Sequence, residues 1–133
     1  MNNGDLRKRR GSFENPRDLM KELKNLAWKH AGPVREERSL KEGLERLSSY
    51  AKRIEQIYPA SLGDLFMKKD LENIALLLEA IFQGSLTRTE SRGSFCRKDA
   101  PTQDDSNWRK NTCYQLVKGE LALTDYSVES GTR

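Results

Sequence analysis

One histidine, two cysteines and four prolines are scattered over these 133 residues, and no stretch of the chain is apolar for long. Each scarcity excludes something. With His30 as the lone histidine, on the apolar side of a helical pattern, no Ser-His-Asp or Cys-His arrangement can be assembled. His30 itself reads as a core-flank or cap residue. Cys96 and Cys113 form no metal-ligand spacing with each other or with His30, so reduced thiols are expected. No run approaches the roughly 20 apolar residues that a bilayer crossing needs, and the start lacks a signal-peptide core. The expectation is a cytoplasmic chain with no direct membrane insertion. There is no G-x-G-x-x-G after a strand and no Walker-type lysine loop. Asp99, Asp104, Asp105 and Asn107 are rich in oxygen but miss calcium-loop spacing, and read as turn and cap residues. No catalytic, cofactor-binding or metal-binding residue is assigned.

What is abundant is charge. Charged residues make up 33% and hydrophobic residues 35%, so the core must come from narrow stripes rather than broad apolar blocks. The net charge of +4 is concentrated at Arg7, Lys8, Arg9 and Arg10, leaving the remainder nearly balanced. That placement argues against a domain-wide face for phosphate. Residues 1–15 read as a flexible basic tail.

Three helical segments follow, expected over residues 16–90 as an all-α, antiparallel, spectrin-repeat-like three-helix bundle. The first begins at Pro16 with Asn15 as its cap, and carries Leu19, Leu23, Leu26 and His30 at helical spacing. "AGP" ends it, with Gly32 available for a left-handed cap and Pro33 blocking continuation. "SLKE", residues 39 to 42, has the form of a capping box, so the second helix is expected to start at Ser39 and to stop at Pro59. Leu40, Leu44, Leu47, Ala51, Ile54 and Tyr58 form its stripe. The third, from about Asp64 to Thr89, is longer and more apolar, with Leu71, Ile74, Leu78 and Ile81 as its seam. Gly84 and Ser85 would admit a close neighbour.

Residues 91–133 form an irregular arm. Within it "TCYQLVKGELALTDYSV" alternates around Lys118-Gly119 as a β-hairpin, which is marginal alone and needs a surface to lie on. Trp28 stands about half a turn from the Leu19 stripe, where it either packs under this arm or marks a surface that docks elsewhere. Packing under the arm is the favoured expectation. Trp108, within the arm, admits the same two readings.

Two stretches carry a resemblance. "LAWKHAGPVREERSLKEGLERL", residues 26 to 47, is similar to the M-W-x-x-x-G-I/V-x-R…L-x-x-A-L pattern of the C-terminal helical domain of succinate dehydrogenase and fumarate reductase flavoproteins. "DLENIALLLEAIFQGSLTRTESRGSFCRKDAPTQDDSNWRKNT", residues 70 to 112, resembles the same domain's A-x-x-R-x-E-S-R-G-x-H-x-R-x-D-x-P-x-x-D-D-x-x-W-x-K-H-T. E-S-R-G followed by R-x-D and D-D-x-x-W is highly specific. L-Aspartate oxidase and adenylylsulfate reductase flavoproteins share parts of it. Phe95 and Asn111 stand where the family has histidines, Ala27 where it has methionine, and Ala100 where it has an aromatic.

The resemblance implies a domain of a larger FAD enzyme, in which a dinucleotide-binding fold holds the flavin and upstream domains grip the dicarboxylate. It implies no cofactor in this chain, FAD in the parent protein, and the parent's flavin-binding domain as partner. An iron-sulfur subunit is a further candidate partner. The assembly would lie at the inner face of the membrane through partner subunits. Trp28, Arg88, Glu90, Arg92, Arg97 and Trp108 are the candidate interdomain docking residues, with the four charged ones expected in fixed ion pairs or backbone contacts. Two other readings compete: a free-standing helical adaptor, compatible with a methionine at residue 1, and a nucleic-acid-binding protein using the basic tail with Trp28 and Lys21.

Overall fold

The computed structural model describes residues 14–127, and side chains through residue 125. Residues 1–13 of the expected basic tail, and the last six residues, lie outside that range. The element order is α1 (Pro16–Ala31), β1 (Val34–Arg35), α2 (Glu37–Glu55), α3 (Leu62–Thr87), β2 (Cys96–Arg97), α4 (Asp105–Trp108), β3 (Lys110–Val117) and β4 (Glu120–Ser127). The three long helices pack pairwise on one another, as the mostly helical expectation requires.

α1 starts as its sequence dictates. The Asn15 side chain accepts from the Arg17 amide at 3.0 Å, and Pro16 opens the first turn, where its missing N–H costs nothing. Its exit differs from expectation: Gly32 is extended (φ −65°, ψ −169°), because the chain runs directly into β1 rather than curling back. α2 begins two residues before the expected capping box. Ser39 lies inside its first turn and shares a 2.9 Å hydrogen bond with His30 Nδ1. The exposed Glu37 amide is satisfied from far away, donating to the Asp99 carboxylate at 3.2 Å. α2 ends at Glu55, ahead of Pro59. α3 is capped by the Ser61 hydroxyl, which accepts from the Asp64 amide at 3.1 Å.

The core joins Leu19, Leu23 and Leu26 of α1, Leu40, Leu47 and Ile54 of α2, Ile57 beyond it, and Leu71, Leu78 and Phe82 of α3. Phe82, not Ile81, completes the α3 seam. Ile81 is partly exposed and Phe82 is wholly buried. The α2 stripe also shifts: Ala51 and Tyr58 face outward, while Gly43 and Ile57 turn in. Arg53 ties the start of the fold to α2, donating from Nε to Glu14 at 2.6 Å and from Nη1 to Glu22 at 2.7 Å.

β1 and β2 form a two-residue parallel ladder that anchors the arm to the α1–α2 corner. β3 and β4 pair antiparallel from Lys110↔Ser127 to Val117↔Glu120. Their turn has φ of 52° at Lys118 and 83° at Gly119, both positive, as a tight hairpin turn of matching twist needs. The hairpin touches α3 through Tyr114, which meets Gly84. A Cβ there would lie 1.8 Å from the Tyr114 hydroxyl, so the absence of a side chain is what lets the phenol approach. Among the described residues no helix is long and apolar enough to cross a membrane.

Candidate docking site

The loop from Arg88 to Asp105 is held by buried charge rather than by apolar packing. Glu90 is its hub. Completely buried, its carboxylate accepts from Arg88 Nη1 at 2.7 Å, Arg92 Nε at 2.8 Å and the Asp104 amide at 2.7 Å. These donors hold its carboxyl at about 2, well below the usual range, with Arg92 the largest influence. Arg92 also donates to Asp105 at 2.6 Å. Arg88 reaches on to the carbonyls of Trp108 (2.9 Å) and Lys110 (2.7 Å), tying the hub to the start of the hairpin.

Arg97 ends α3. Its buried guanidinium donates to the carbonyls of Ser85 (2.8 Å), Leu86 (3.1 Å) and Arg88 (3.2 Å). Two of these belong to the last helical turn, whose carbonyls have no partner within the helix. The cation also complements the negative end of the helix dipole. Asp99 holds Arg97 through a two-pronged pair and accepts the Glu37 amide at the start of α2. One Arg–Asp pair thus caps two helices at opposite ends. Arg97 and its hydrogen bond lower the Asp99 carboxyl well below its ordinary range. Ser91 fastens the loop to itself: its hydroxyl accepts from the Arg97 amide at 2.8 Å and meets the Ala100 carbonyl at 2.8 Å.

Two cations lie over the Trp108 ring, the Arg88 guanidinium 5.1 Å and the Lys110 ammonium 4.7 Å from its centre. Its indole N–H donates to the Thr89 hydroxyl at 3.1 Å. Asp104 caps α4, accepting the Asn107 amide at 3.1 Å.

Of the six residues singled out from sequence, five converge on this loop: Arg88, Glu90, Arg92, Arg97 and Trp108. Their polar atoms bond within the chain, the charged four in fixed ion pairs and backbone contacts. Trp28 is elsewhere. It is 76% exposed, so the expectation that it packs under the arm is overturned; the hairpin instead reaches α3 through Tyr114 at Gly84. Sequence reasoning gave Ser85 no place in this network and read Asp99 as a turn or cap residue; it does cap α2, but its pairing with Arg97 was signalled only by the R-x-D spacing.

No group of three or more metal-binding side chains converges among the described residues. The arrangement lacks a nucleophile with a base. Its chemistry is structural: fixed guanidinium–carboxylate pairs that shape a surface.

A family model described as fumarate reductase flavoprotein C-term matches residues 20–132. The chain belongs to that family of flavoprotein C-terminal domains. It is 33% identical over 108 residues to a succinate dehydrogenase flavoprotein subunit of Coxiella burnetii, a match covering 77% of this chain and 18% of that protein. It is 28% identical over 111 residues to an uncharacterised FAD-dependent oxidoreductase of Methanocaldococcus jannaschii, covering 84% and 20%. Among solved structures, the Mycobacterium smegmatis Sdh1 complex in the apo form superposes with a TM-score of 0.83 at 25% identity, over 92% of this chain and 22% of that one. The chain therefore spans about a fifth of the length of these relatives. The E-S-R-G, R-x-D and D-D-x-x-W residues that carry the family pattern are those of the Glu90 hub, the Arg97 cap and the Trp108 stack.

Proposed function

We propose that this chain is the C-terminal accessory domain of an FAD-dependent oxidoreductase of the succinate dehydrogenase and fumarate reductase type. It packs on the flavin-binding body and performs no turnover alone. The observation that carries this reading lies on α3. Leu62, Leu65 and Phe66 are neighbours at i, i+3 and i+4 on its first turns and are 67%, 50% and 62% exposed, and Leu77 and Ile81, one turn apart further along, are 62% and 39% exposed. Large apolar side chains grouped in this way and left uncovered mark a surface meant for cover.

In this reading FAD is held by the flavin-binding domain of the parent protein, with an iron-sulfur subunit as the next electron partner. The assembly is cytoplasmic and peripheral to the inner face of the membrane. Trp28 contributes to docking directly through its exposed indole. Arg88, Glu90, Arg92, Arg97 and Trp108 contribute by fixing the shape of the loop that meets the body.

The test is reconstitution. The chain purified alone is expected to show no flavin absorbance and no fumarate reduction with an artificial donor. Mixed with the parent's flavin-binding polypeptide, it is expected to form a 1:1 complex and raise that polypeptide's thermal midpoint. Stoichiometric FAD on the chain alone, or turnover by it, contradicts the reading.

A further inference from the structure

Between the end of α3 and the hairpin lies an open cleft of about 560 Å³, whose lining includes Arg35, Ser85, Arg88, Arg92, Lys110 and Tyr114. No aspartate or glutamate lines it. Three of its four cations are answered from behind: Arg88 by Glu90, Arg92 by Glu90 and Asp105, and Lys110 by Asp125 at 2.8 Å. Arg35 pairs with no carboxylate among the described residues.

The Arg35 head is nevertheless fixed. Nε donates to the Gly32 carbonyl at 3.1 Å, Nη1 donates to the buried Ser85 hydroxyl at 2.8 Å, and the guanidinium lies 5.5 Å over the Phe95 ring. Those contacts leave Nη2 without an acceptor. The Tyr114 hydroxyl, held on the same wall by its approach to Gly84, likewise has no hydrogen-bond partner among the described residues. Burial lowers the Arg35 pKa from its ordinary value, the direction expected for a cation short of a counter-ion. A rigid, partly desolvated guanidinium beside an idle phenol is a prepared oxyanion receptor.

We propose that this cleft receives the carboxylate of an acidic side chain presented by the flavin-binding body, with Arg35 and Tyr114 as its two donors. The proposal rests on the docking reading given above. One uncompensated positive charge matches a singly charged carboxylate; a free dicarboxylate would need a second cation, and the other three are already paired. The cleft is also continuous with the proposed docking face, since Ile81 and Gly84 line it one and two turns beyond Leu77 on α3.

Titration calorimetry of the full chain against the parent's flavin-binding polypeptide tests this. Arg35→Gln is expected to weaken binding at least tenfold and to reduce its salt dependence. Tyr114→Phe, which keeps the ring on Gly84, is expected to weaken it about threefold. Leu77→Asp reports on docking itself. If the wild-type complex forms, Leu77→Asp disrupts it, and both other variants bind like wild type, the cleft proposal fails while docking stands. If the wild-type chain binds nothing, both fail. Succinate is the probe for a free ligand: Arg35-dependent succinate binding, with docking indifferent to Arg35 and Tyr114, would also overturn the proposal. Should circular dichroism show Arg35→Gln unfolded, Tyr114→Phe decides.

Discussion

Glu90 is the residue on which the arm depends most. A buried carboxylate with three donors stabilises only while all partners remain, since removing one leaves charge stranded in a poorly solvated place. Glu90→Gln is therefore expected to cost about 3–5 kcal/mol in urea unfolding. The pH dependence has a defined sign. Its carboxyl is held near 2 rather than the ordinary 4.5, so its contribution is fully present above pH 4.5 and is lost as pH falls toward 2. Glu90→Gln should flatten that acid limb. His30 acts in a higher window. Burial lowers its pKa from the ordinary 6.5, and its Nε2 is buried without a partner, so the folded chain favours the neutral ring. As pH drops below 6.5 the unfolded chain takes up the proton first, and stability falls. Thermal midpoints between pH 8 and pH 5 should decline for the wild type and decline less for His30→Leu. The importance of Arg88, Glu90, Arg92 and Arg97 was readable from motif spacing. Their geometry was not, because it depends on backbone groups such as the Asp104 amide and the Ser85 carbonyl that periodicity does not bring together.

Among elements, local signals succeeded where the deciding contact was local. Asn15 and Pro16 start α1, and Lys118-Gly119 turns the hairpin, because each effect acts within a few residues. The Ser39–Glu42 box failed for the opposite reason: Asp99, 62 residues from Glu37, takes over the start of α2 and frees Ser39 for His30. α3 misled in another way. Apolar residues surround it, so spacing alone could not choose Phe82 over Ile81. Gly84→Ala would place a methyl 1.8 Å from the Tyr114 hydroxyl, so the phenol must swing away from α3. The clash is expected to offset the roughly 1 kcal/mol that alanine gains over glycine inside a helix, so Gly84→Ala should leave stability nearly unchanged and should stabilise the chain once Tyr114→Ala removes the ring. Arg97→Met keeps much of the apolar volume but strips the α3 carbonyls of their donor and leaves Asp99 unpaired. Hydrogen exchange should then rise in the last turn of α3 and in the first turn of α2 together. A rise confined to α3 would mean that the two caps are not coupled.

At the scale of the whole molecule, the fold closes its own core yet leaves groups of large apolar side chains exposed on its longest helix. The relatives are about five times longer than this chain, and in the proposed reading their larger body is what covers those side chains. The charged loop is satisfied internally; in the proposed reading it shapes the surface and meets the body alongside Trp28, the exposed α3 side chains and the Arg35 cleft. Hydroxyl-radical footprinting of the chain, alone and mixed with the parent's flavin-binding polypeptide, tests that claim most directly. The account predicts that Trp28, Phe66 and Leu77 react readily in the free chain and become strongly protected in the mixture, with the buried Phe82 unreactive in both. Equal reactivity of those three side chains in both samples would contradict it.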